Sequence, residues 1–213
     1  MKILILGTPR SGTTSLVKFI DSHIKLPNYK MIIEPFNSEL DGYIMDINSI
    51  INFKNLLIKN LFLIGNDEYP KDSFANVYEY FEWCFSYFDK IIILDRKDKI
   101  AQSESFVVNE TAIRERGIGW HTPKIYDMSK IDSSYIETMI NRYTESSKIL
   151  HNISQNKGYP IFYYEDIFLE HNIDVVKNIL GYLEVELILD SYQKFILSPY
   201  RRVRIEKSNK KLL

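Results

Sequence analysis

The stretch KILILGTPRSGTTS, Lys2 to Ser15, decides the fold on which the rest of the chain builds. Its first part, KILIL, is a continuous run of isoleucine and leucine, which is typical of a strand buried on both faces in a parallel sheet. A glycine-bearing loop follows, and the segment after it repeats apolar residues at helical spacing (Leu16, Phe19, Ile20 and Ile24). A strand, a glycine loop and a helix in this order are the context that a phosphate-binding loop requires.

The loop has the spacing of a P-loop, G-x-x-x-x-G-K-[ST], with one substitution. Gly7, Gly12 and Thr14 fit the pattern, whereas Thr13 stands where the lysine belongs. That lysine reaches the β- and γ-phosphates of a triphosphate, so its loss removes the main cation of triphosphate chemistry. The backbone cradle and the positive end of the helix remain, and Arg10 lies inside the loop. The sequence therefore predicts a site for a nucleotide with a short anionic extension rather than for an ATP γ-phosphate.

Further strands and helices alternate along the chain. Apolar runs predict strands at 30–33, 61–65, 90–95 and 159–164. Helical spacing predicts helices at 75–88, 99–108, 133–156, 172–183 and 190–196, and Asp98 is a candidate cap for the second of these. The segment 111–132 is predicted to be the longest irregular loop, a candidate lid or substrate loop. We expect a single α/β domain over residues 1–213, with a mainly parallel, P-loop-like sheet flanked by helices.

Composition excludes several classes of protein. Hydrophobic residues make up 45% of the 213 residues and the net charge is −1, which favours a globular protein and disfavours nucleic-acid binding. The single cysteine, Cys84, and four histidines without metal-ligand spacing give no reason to expect a metal. No apolar run reaches the length of a transmembrane helix, and the first residues do not form a signal peptide. We expect a soluble, cytoplasmic protein whose oligomeric state the sequence leaves open.

The segment TPRSGTTSL, Thr8 to Leu16, resembles the 5′-phosphosulfate loop of sulfotransferases that use PAPS, 3′-phosphoadenosine 5′-phosphosulfate. In that family the loop reads P-[KR]-S-G-[ST]-[ST], and its Lys or Arg contacts the transferring sulfonate. The resemblance implies the sulfotransferase fold, PAPS as the sulfonate donor and the sulfonate contact for Arg10. It also implies that the 5′-phosphate is held by the amides of five residues: Ser11, Gly12, Thr13, Thr14 and Ser15.

A second stretch, LDRKDKIAQSESF, resembles the 3′-phosphate site of the bacterial trehalose and carbohydrate sulfotransferases, which carry D-[KR]-x-A-Q-x-x-S after a basic run. This alignment makes Ser105 the phosphate-binding serine, with Lys97 eight positions earlier. The family's cation could equally be Arg96, and Ser103 could replace Ser105. A cation at the end of a strand and a hydroxyl near a helix N-terminus form a suitable phosphate site in either case.

Three other stretches carry weaker resemblances. IIEPF places Glu34 where the closest relatives have a general base, a group that would take the proton of an acceptor hydroxyl. The pair Trp120 and His121 resembles a substrate-region motif, and Trp120 could stack on a sugar or anchor the core. In the basic tail, 200–213, Arg201 or Arg202 would clamp the 3′-phosphate if the tail closes over the nucleotide, but a solvated tail is an equal alternative.

These observations predict a PAPS-dependent sulfotransferase that acts without a metal on a hydroxyl group. The resemblance to carbohydrate sulfotransferases implies that this hydroxyl belongs to a carbohydrate. One alternative is a small-molecule kinase that uses ATP and magnesium and has its lysine elsewhere in the chain. Another is a non-catalytic nucleotide-binding protein. The sequence does not identify the acceptor.

Overall fold

Five parallel strands form one sheet in the computed structural model, which describes residues 1–36, 47–65, 69–116 and 131–197. The strands are β1 (Lys2–Gly7), β2 (Tyr29–Ile33), β3 (Asn55–Leu61), β4 (Lys90–Asp95) and β5 (Ile161–Tyr163). Their order across the sheet is β2-β3-β1-β4-β5, and each strand is parallel to its neighbours. The predicted α/β fold with a parallel sheet is therefore confirmed.

Helices cover both faces of this sheet. In the described part of the chain they are α1 (Thr13–Asp21), α2 (Ile47–Ile51), α3 (Val77–Tyr87), α4 (Lys99–Arg116), α5 (Ser133–Lys157), α6 (Tyr164–Phe168), α7 (Ile173–Tyr182) and α8 (Leu189–Leu197). None of these helices has the length and the apolar character needed to cross a membrane.

The alternation of side chains along β1 divides the interior into two cores. Ile3 and Ile5 point to one face, where they pack with buried residues of α1, α7 and α8. Leu4 and Leu6 point to the other face and pack with buried residues of α3 and with Leu150 of α5. Because β1 is central, both faces of the strand are buried, which explains its uninterrupted apolar sequence.

The carboxyl ends of three strands meet at the point from which the loop leaves the sheet. Gly7 of β1 is paired with Leu61 of β3 on one side and with Leu94 of β4 on the other. The chain order of the strands reverses around β1, and open α/β sheets bind their ligands in the crevice at such a position. The fold thus brings the ends of β1, β3 and β4 together with the start of α1.

The strand predicted at 61–65 was placed wrongly. The observed strand, β3, is Asn55–Leu61, so only Leu61 is shared. The error arose because Lys59 and Asn60 break the apolar pattern of this strand, although both side chains are buried. Asn60 donates to the hydroxyl of Tyr80 at 2.8 Å, and Lys59 is paired with Glu34, so each polar group has a partner in the interior.

Other elements differ from the prediction at their boundaries. The helix predicted at 99–108 continues to Arg116, so part of the predicted loop 111–132 is helical. Its predicted cap is confirmed, because the carboxylate of Asp98 accepts a hydrogen bond from the amide of Ala101 at 2.8 Å. The last strand is shorter than predicted, since α6 already begins at Tyr164. Helix α2 was not predicted at all.

Candidate functional site

Two glycines allow the loop between β1 and α1 to pack closely against its surroundings. A Cβ atom on Gly7 would lie 2.5 Å from the carbonyl oxygen of Leu94 and 2.6 Å from the methyl carbon of Thr13. Gly12 has a φ of +85°, and a Cβ atom there would lie 2.4 Å from the ring of Phe168. Both positions therefore require glycine, the first for space and the second also for its backbone conformation.

The loop presents the open N-terminus of α1 to the crevice. The amide of Leu16 donates to the carbonyl of Gly12 at 3.0 Å, so the amides of the residues before Leu16 precede the intrahelical ladder. Gly12 is the N-cap residue and supplies no side chain that could cap these amides. A helix start of this kind attracts anions through its amide groups and its dipole. Of the predicted phosphate cradle at 11–15, the amides from 12 to 15 lie at this open helix start, whereas the amide of Ser11 also donates to the carbonyl of Thr8 at 3.3 Å.

Contacts from α4 and from inside the loop hold its first residues in place. The buried side-chain amide of Gln102 donates to the hydroxyl of Thr8 and to the carbonyl of Pro9, each at 2.7 Å. The hydroxyl of Ser11 donates back to the carbonyl of Thr8 at 2.6 Å. Since Ser11 is completely buried, this hydroxyl fixes the loop from within. The start of the loop is therefore tied to α4 by direct hydrogen bonds.

Asp95 is buried at the end of β4 and joins the loop to two helices. Its carboxylate accepts from Lys99 Nζ at 2.6 Å, from the hydroxyl of Ser147 and, at 3.4 Å, from the hydroxyl of Thr8. His151 Nε2 also lies 3.4 Å from this carboxylate. A kinase would need a carboxylate at such a position as a magnesium ligand, but both oxygens of Asp95 are engaged by groups of this chain.

Arg10 adopts a left-handed backbone conformation, with φ of 65°, and its side chain reaches α4. Its Nε donates to the hydroxyl of Ser105 at 3.1 Å. Burial is the largest cause that lowers the pKa of Arg10; the charge of Arg96 lowers it further, and Tyr143 acts in the opposite direction. The guanidinium stays protonated even so. The structure thus brings together two predicted site residues, Arg10 and Ser105, that are 95 positions apart.

The guanidinium of Arg96 lies beside the same loop. Its Nη1 donates to the carbonyl of Arg10 at 3.4 Å, its Nε is 3.8 Å from Glu165, and its Cζ lies 4.6 Å from the ring centroid of Tyr164. Among the described residues, Arg96 forms an ion pair with Glu165, and Arg10 forms none. An anion that entered here would find an excess of positive charge and several N–H donors.

The two alternatives for the 3′-phosphate site differ in their surroundings. The side chain of Lys97 is half exposed and forms an ion pair with Asp166, whereas Arg96 is turned toward the loop. The hydroxyl of Ser103 is buried and donates to the carbonyl of Lys99 at 2.7 Å, whereas Ser105 faces Arg10. Of these four residues, Arg96 and Ser105 therefore lie beside Arg10, whereas Lys97 and Ser103 have partners elsewhere.

Lys59 is a site residue that the sequence did not reveal. It lies on β3 with its side chain 3% exposed, forms an ion pair with Glu34 and donates to the hydroxyl of Thr14 at 3.0 Å. Glu34 has a φ of 49°, and its amide donates to the carbonyl of Lys59 at 2.8 Å. Lys59 thus connects the candidate general base to the phosphate loop. A lysine within a buried parallel strand is the one signal that could have identified it.

Four predicted site residues, Trp120, His121, Arg201 and Arg202, lie outside the described residues. Glu165, in the stretch YYEDI from Tyr163 to Ile167, accepts from the amides of Lys97 and Asp98 at 2.9 and 3.0 Å, which links the start of α6 to the segment between β4 and α4. Within the described ranges, no group of three or more histidine, cysteine, aspartate or glutamate side chains is arranged to hold a metal ion.

Comparison with solved structures identifies proteins with the same fold. The mouse sulfotransferase SULT7A1, crystallised in complex with PAP, superposes with a TM-score of 0.57 at 13% sequence identity. The match covers 92% of this chain and 62% of the mouse chain, so this chain spans less than two thirds of that protein's length. At this identity the likeness shows a shared fold, and the predicted sulfotransferase fold is confirmed.

A second similar structure is the sulfotransferase domain of the olefin synthase from Synechococcus PCC 7002. It has a TM-score of 0.46 and 15% identity, over 97% of this chain and 79% of that domain. By sequence, no protein-family model and no curated protein matches the chain.

Proposed function

We propose that this chain is a sulfotransferase that moves a sulfonate group from PAPS to a hydroxyl, with a carbohydrate as the acceptor. The observation that carries the proposal is the meeting of Arg10, Arg96 and Ser105 beside the uncapped start of α1. This arrangement suits a nucleotide with anionic groups at two positions. The fold shared with sulfotransferases, one of which is complexed with PAP, supports the same conclusion.

Each residue has a role in the proposed reaction. The amides at the start of α1, from 11 to 15, bind the 5′-phosphate, and Arg96 with Ser105 binds the 3′-phosphate. Arg10 stabilises the charge that moves to the bridging oxygen as the sulfur–oxygen bond of the donor breaks. The acceptor oxygen forms the new bond to sulfur, and its proton passes to the carboxylate of Glu34.

Lys59 has two tasks in this proposal. Its ion pair with Glu34 holds the carboxylate in a fixed orientation, and its contact with Thr14 places a positive charge at the edge of the phosphate loop. The charge there favours an anionic donor, which the missing lysine at position 13 can no longer attract.

Lys59 also bears on the kinase alternative, which requires a lysine outside the loop motif, because Lys59 lies near the loop. In a P-loop, however, the hydroxyl at the position of Thr14 binds magnesium. Here the ammonium group of Lys59 donates to that hydroxyl at 3.0 Å, so a magnesium ion would have to bind next to a positive charge. The contact therefore favours a donor that is bound without a metal.

The carbohydrate acceptor rests on the resemblance of Glu34-Pro35 and of the stretch around Trp120 to bacterial carbohydrate sulfotransferases. An acceptor screen with PAPS and a panel of simple sugars, sterols and phenols tests this assignment. Transfer to sugars alone supports it, and transfer to phenols or sterols alone contradicts it.

A thermal-shift experiment tests the donor first. Adenosine 3′,5′-bisphosphate without metal is compared with ADP and magnesium, each at about one hundred times its dissociation constant, where a bound ligand stabilises the fold by roughly 2.7 kcal/mol. We expect a higher melting temperature with the bisphosphate only. A shift only with ADP and magnesium would overturn the proposal in favour of the kinase. The absence of any shift would contradict nucleotide binding at this site and overturn the proposal.

A further inference from the structure

Tyr143 lies in the interior beside the proposed donor site, on the face of α5 that packs against α4. Its side chain is completely buried, and its ring makes an edge contact with Phe106, with 6.1 Å between the centroids and 80° between the planes. Phe106 directly follows Ser105, the residue that accepts from Arg10. The tyrosine therefore belongs to the shell of side chains around the Arg10 guanidinium.

The hydroxyl of Tyr143 has no hydrogen-bond partner among the described residues. Such groups are rare in native interiors, because burying a hydroxyl without a partner costs free energy of folding. The same helix shows the usual arrangement at Tyr135, whose hydroxyl donates to Glu110 Oε2 at 2.5 Å. The hydroxyl of Tyr143 is therefore available as a donor to a molecule that binds beside it.

The chemistry of the missing partner follows from the neighbouring groups. Burial raises the pKa of Tyr143, so its hydroxyl stays protonated and acts as a donor. The phenol of Tyr143 and the guanidinium of Arg10 influence each other electrostatically, in keeping with the packing of Tyr143 against Phe106, the neighbour of Ser105. Arg10 is itself a donor and cannot accept a hydrogen bond. A buried donor without an acceptor, next to a cation that cannot accept, suits an anionic oxygen of a bound ligand.

We propose that the hydroxyl of Tyr143 donates a hydrogen bond to an anionic oxygen of the ligand that Arg10 holds. This inference rests on the proposed function, in which that ligand is PAPS and the oxygen belongs either to the sulfonate or to the 3′-phosphate. Tyr143 is then a further donor-binding residue, supplied by α5 rather than by the loop or by α4.

The test is the variant Tyr143→Phe, which removes only the hydroxyl. Its affinity for adenosine 3′,5′-bisphosphate and for PAPS is measured by calorimetry, and its melting temperature is measured without ligand. We expect the affinity for at least one nucleotide to fall by about 10- to 100-fold, as for the loss of one hydrogen bond to a charged group. Without ligand, the melting temperature should stay the same or rise, because an unpaired buried hydroxyl has been removed.

The matched control is Tyr135→Phe on the same helix. Its hydroxyl has a partner, so this variant should lose stability and keep the wild-type affinity for both nucleotides. A ligand contact is shown if Tyr143→Phe loses affinity without losing stability, while Tyr135→Phe loses stability without losing affinity.

The ligands separate the possible outcomes. A loss of affinity with both nucleotides assigns the oxygen to a phosphate that the two share, and a loss with PAPS alone assigns it to the sulfonate; either result supports the inference. Wild-type affinity in Tyr143→Phe overturns it while the proposed function stands. If the wild-type protein binds neither nucleotide, the proposed function fails first and the inference falls with it.

Discussion

The buried ion pair of Lys59 and Glu34 makes the free energy of unfolding depend on both residues together. Removing one member leaves an uncompensated charge in the interior, which typically destabilises a protein by about 3 to 5 kcal/mol. We expect Lys59→Met and Glu34→Gln to lower the free energy of unfolding by such amounts separately. The double variant should lose much less than the sum, because no unpaired charge remains.

Urea denaturation of the two single variants and the double variant measures this coupling. Additive losses would mean that the two groups are stabilised independently. The Glu34→Gln protein should also bind adenosine 3′,5′-bisphosphate as the wild type does while it fails to turn over, since a carboxamide cannot take the acceptor proton.

Arg10 is expected to act more strongly on the transition state than on bound nucleotide. In Arg10→Ala we expect kcat to fall by about 100-fold or more, because charge develops near this residue only as the donor bond breaks. The affinity for the product nucleotide should fall less. Steady-state kinetics with product-inhibition measurements give both quantities, and equal losses in the two would contradict the assigned role.

The element that carries the proposed function is the loop with the first turn of α1. In Gly12→Ala a Cβ atom would lie 2.4 Å from the ring of Phe168, on a backbone with φ of +85°. We expect a loss of stability of at least about 1 to 3 kcal/mol together with weaker nucleotide binding. Thermal denaturation with and without adenosine 3′,5′-bisphosphate measures both effects.

Gly181 offers a matched control for this substitution. It lies in α7, and a Cβ atom there meets nothing within 4 Å. Gly181→Ala should therefore stabilise the protein slightly, by up to about 1 kcal/mol, because alanine favours the helix. If both variants behaved alike, the left-handed conformation of the loop would not matter to the fold.

Among the elements, the sequence correctly predicted those whose structure is determined by residues nearby in the chain. The apolar run of β1, the glycine spacing of the loop and the periodicity of α1 all lie within about twenty residues. The position of β3 was predicted wrongly because the buried charge of Lys59 is compensated only by Glu34, 25 positions earlier. The sequence likewise left Arg96 and Lys97 as alternatives, because the partners of these two side chains, Glu165 and Asp166, follow nearly 70 positions later.

For the molecule as a whole, Cys84 reports on global unfolding. The thiol is buried in the core between α3 and the sheet, and burial raises its pKa to about 12. We expect a disulfide reagent at pH 8 to react with the native protein on the order of 1,000-fold more slowly than with the unfolded chain, where the thiol pKa is about 8.5. Labelling in increasing urea should follow the unfolding curve, and immediate reaction of the native protein would contradict this packing.

The same shift determines how stability changes in alkali. The unfolded thiol ionises from about pH 8.5, whereas the folded thiol stays neutral until about pH 12. Ionisation therefore favours the unfolded chain, and the free energy of unfolding should decrease as the pH rises through this interval. Chemical denaturation at several pH values between 8 and 10 measures the slope, and a free energy that rose with pH would contradict the assignment.

Arg10 and Arg96 lie close together, because Arg96 donates to the carbonyl of Arg10 at 3.4 Å, and this has a consequence for handling the protein. Without a ligand their like charges repel, so the empty protein should bind whatever small anion its buffer supplies. At equal ionic strength, sulfate or phosphate should raise the melting temperature above that in chloride, and the two anions should compete with the nucleotide. A preparation kept in phosphate would therefore show a weaker apparent donor affinity than one kept in chloride, and buffer choice becomes part of any measurement on this site.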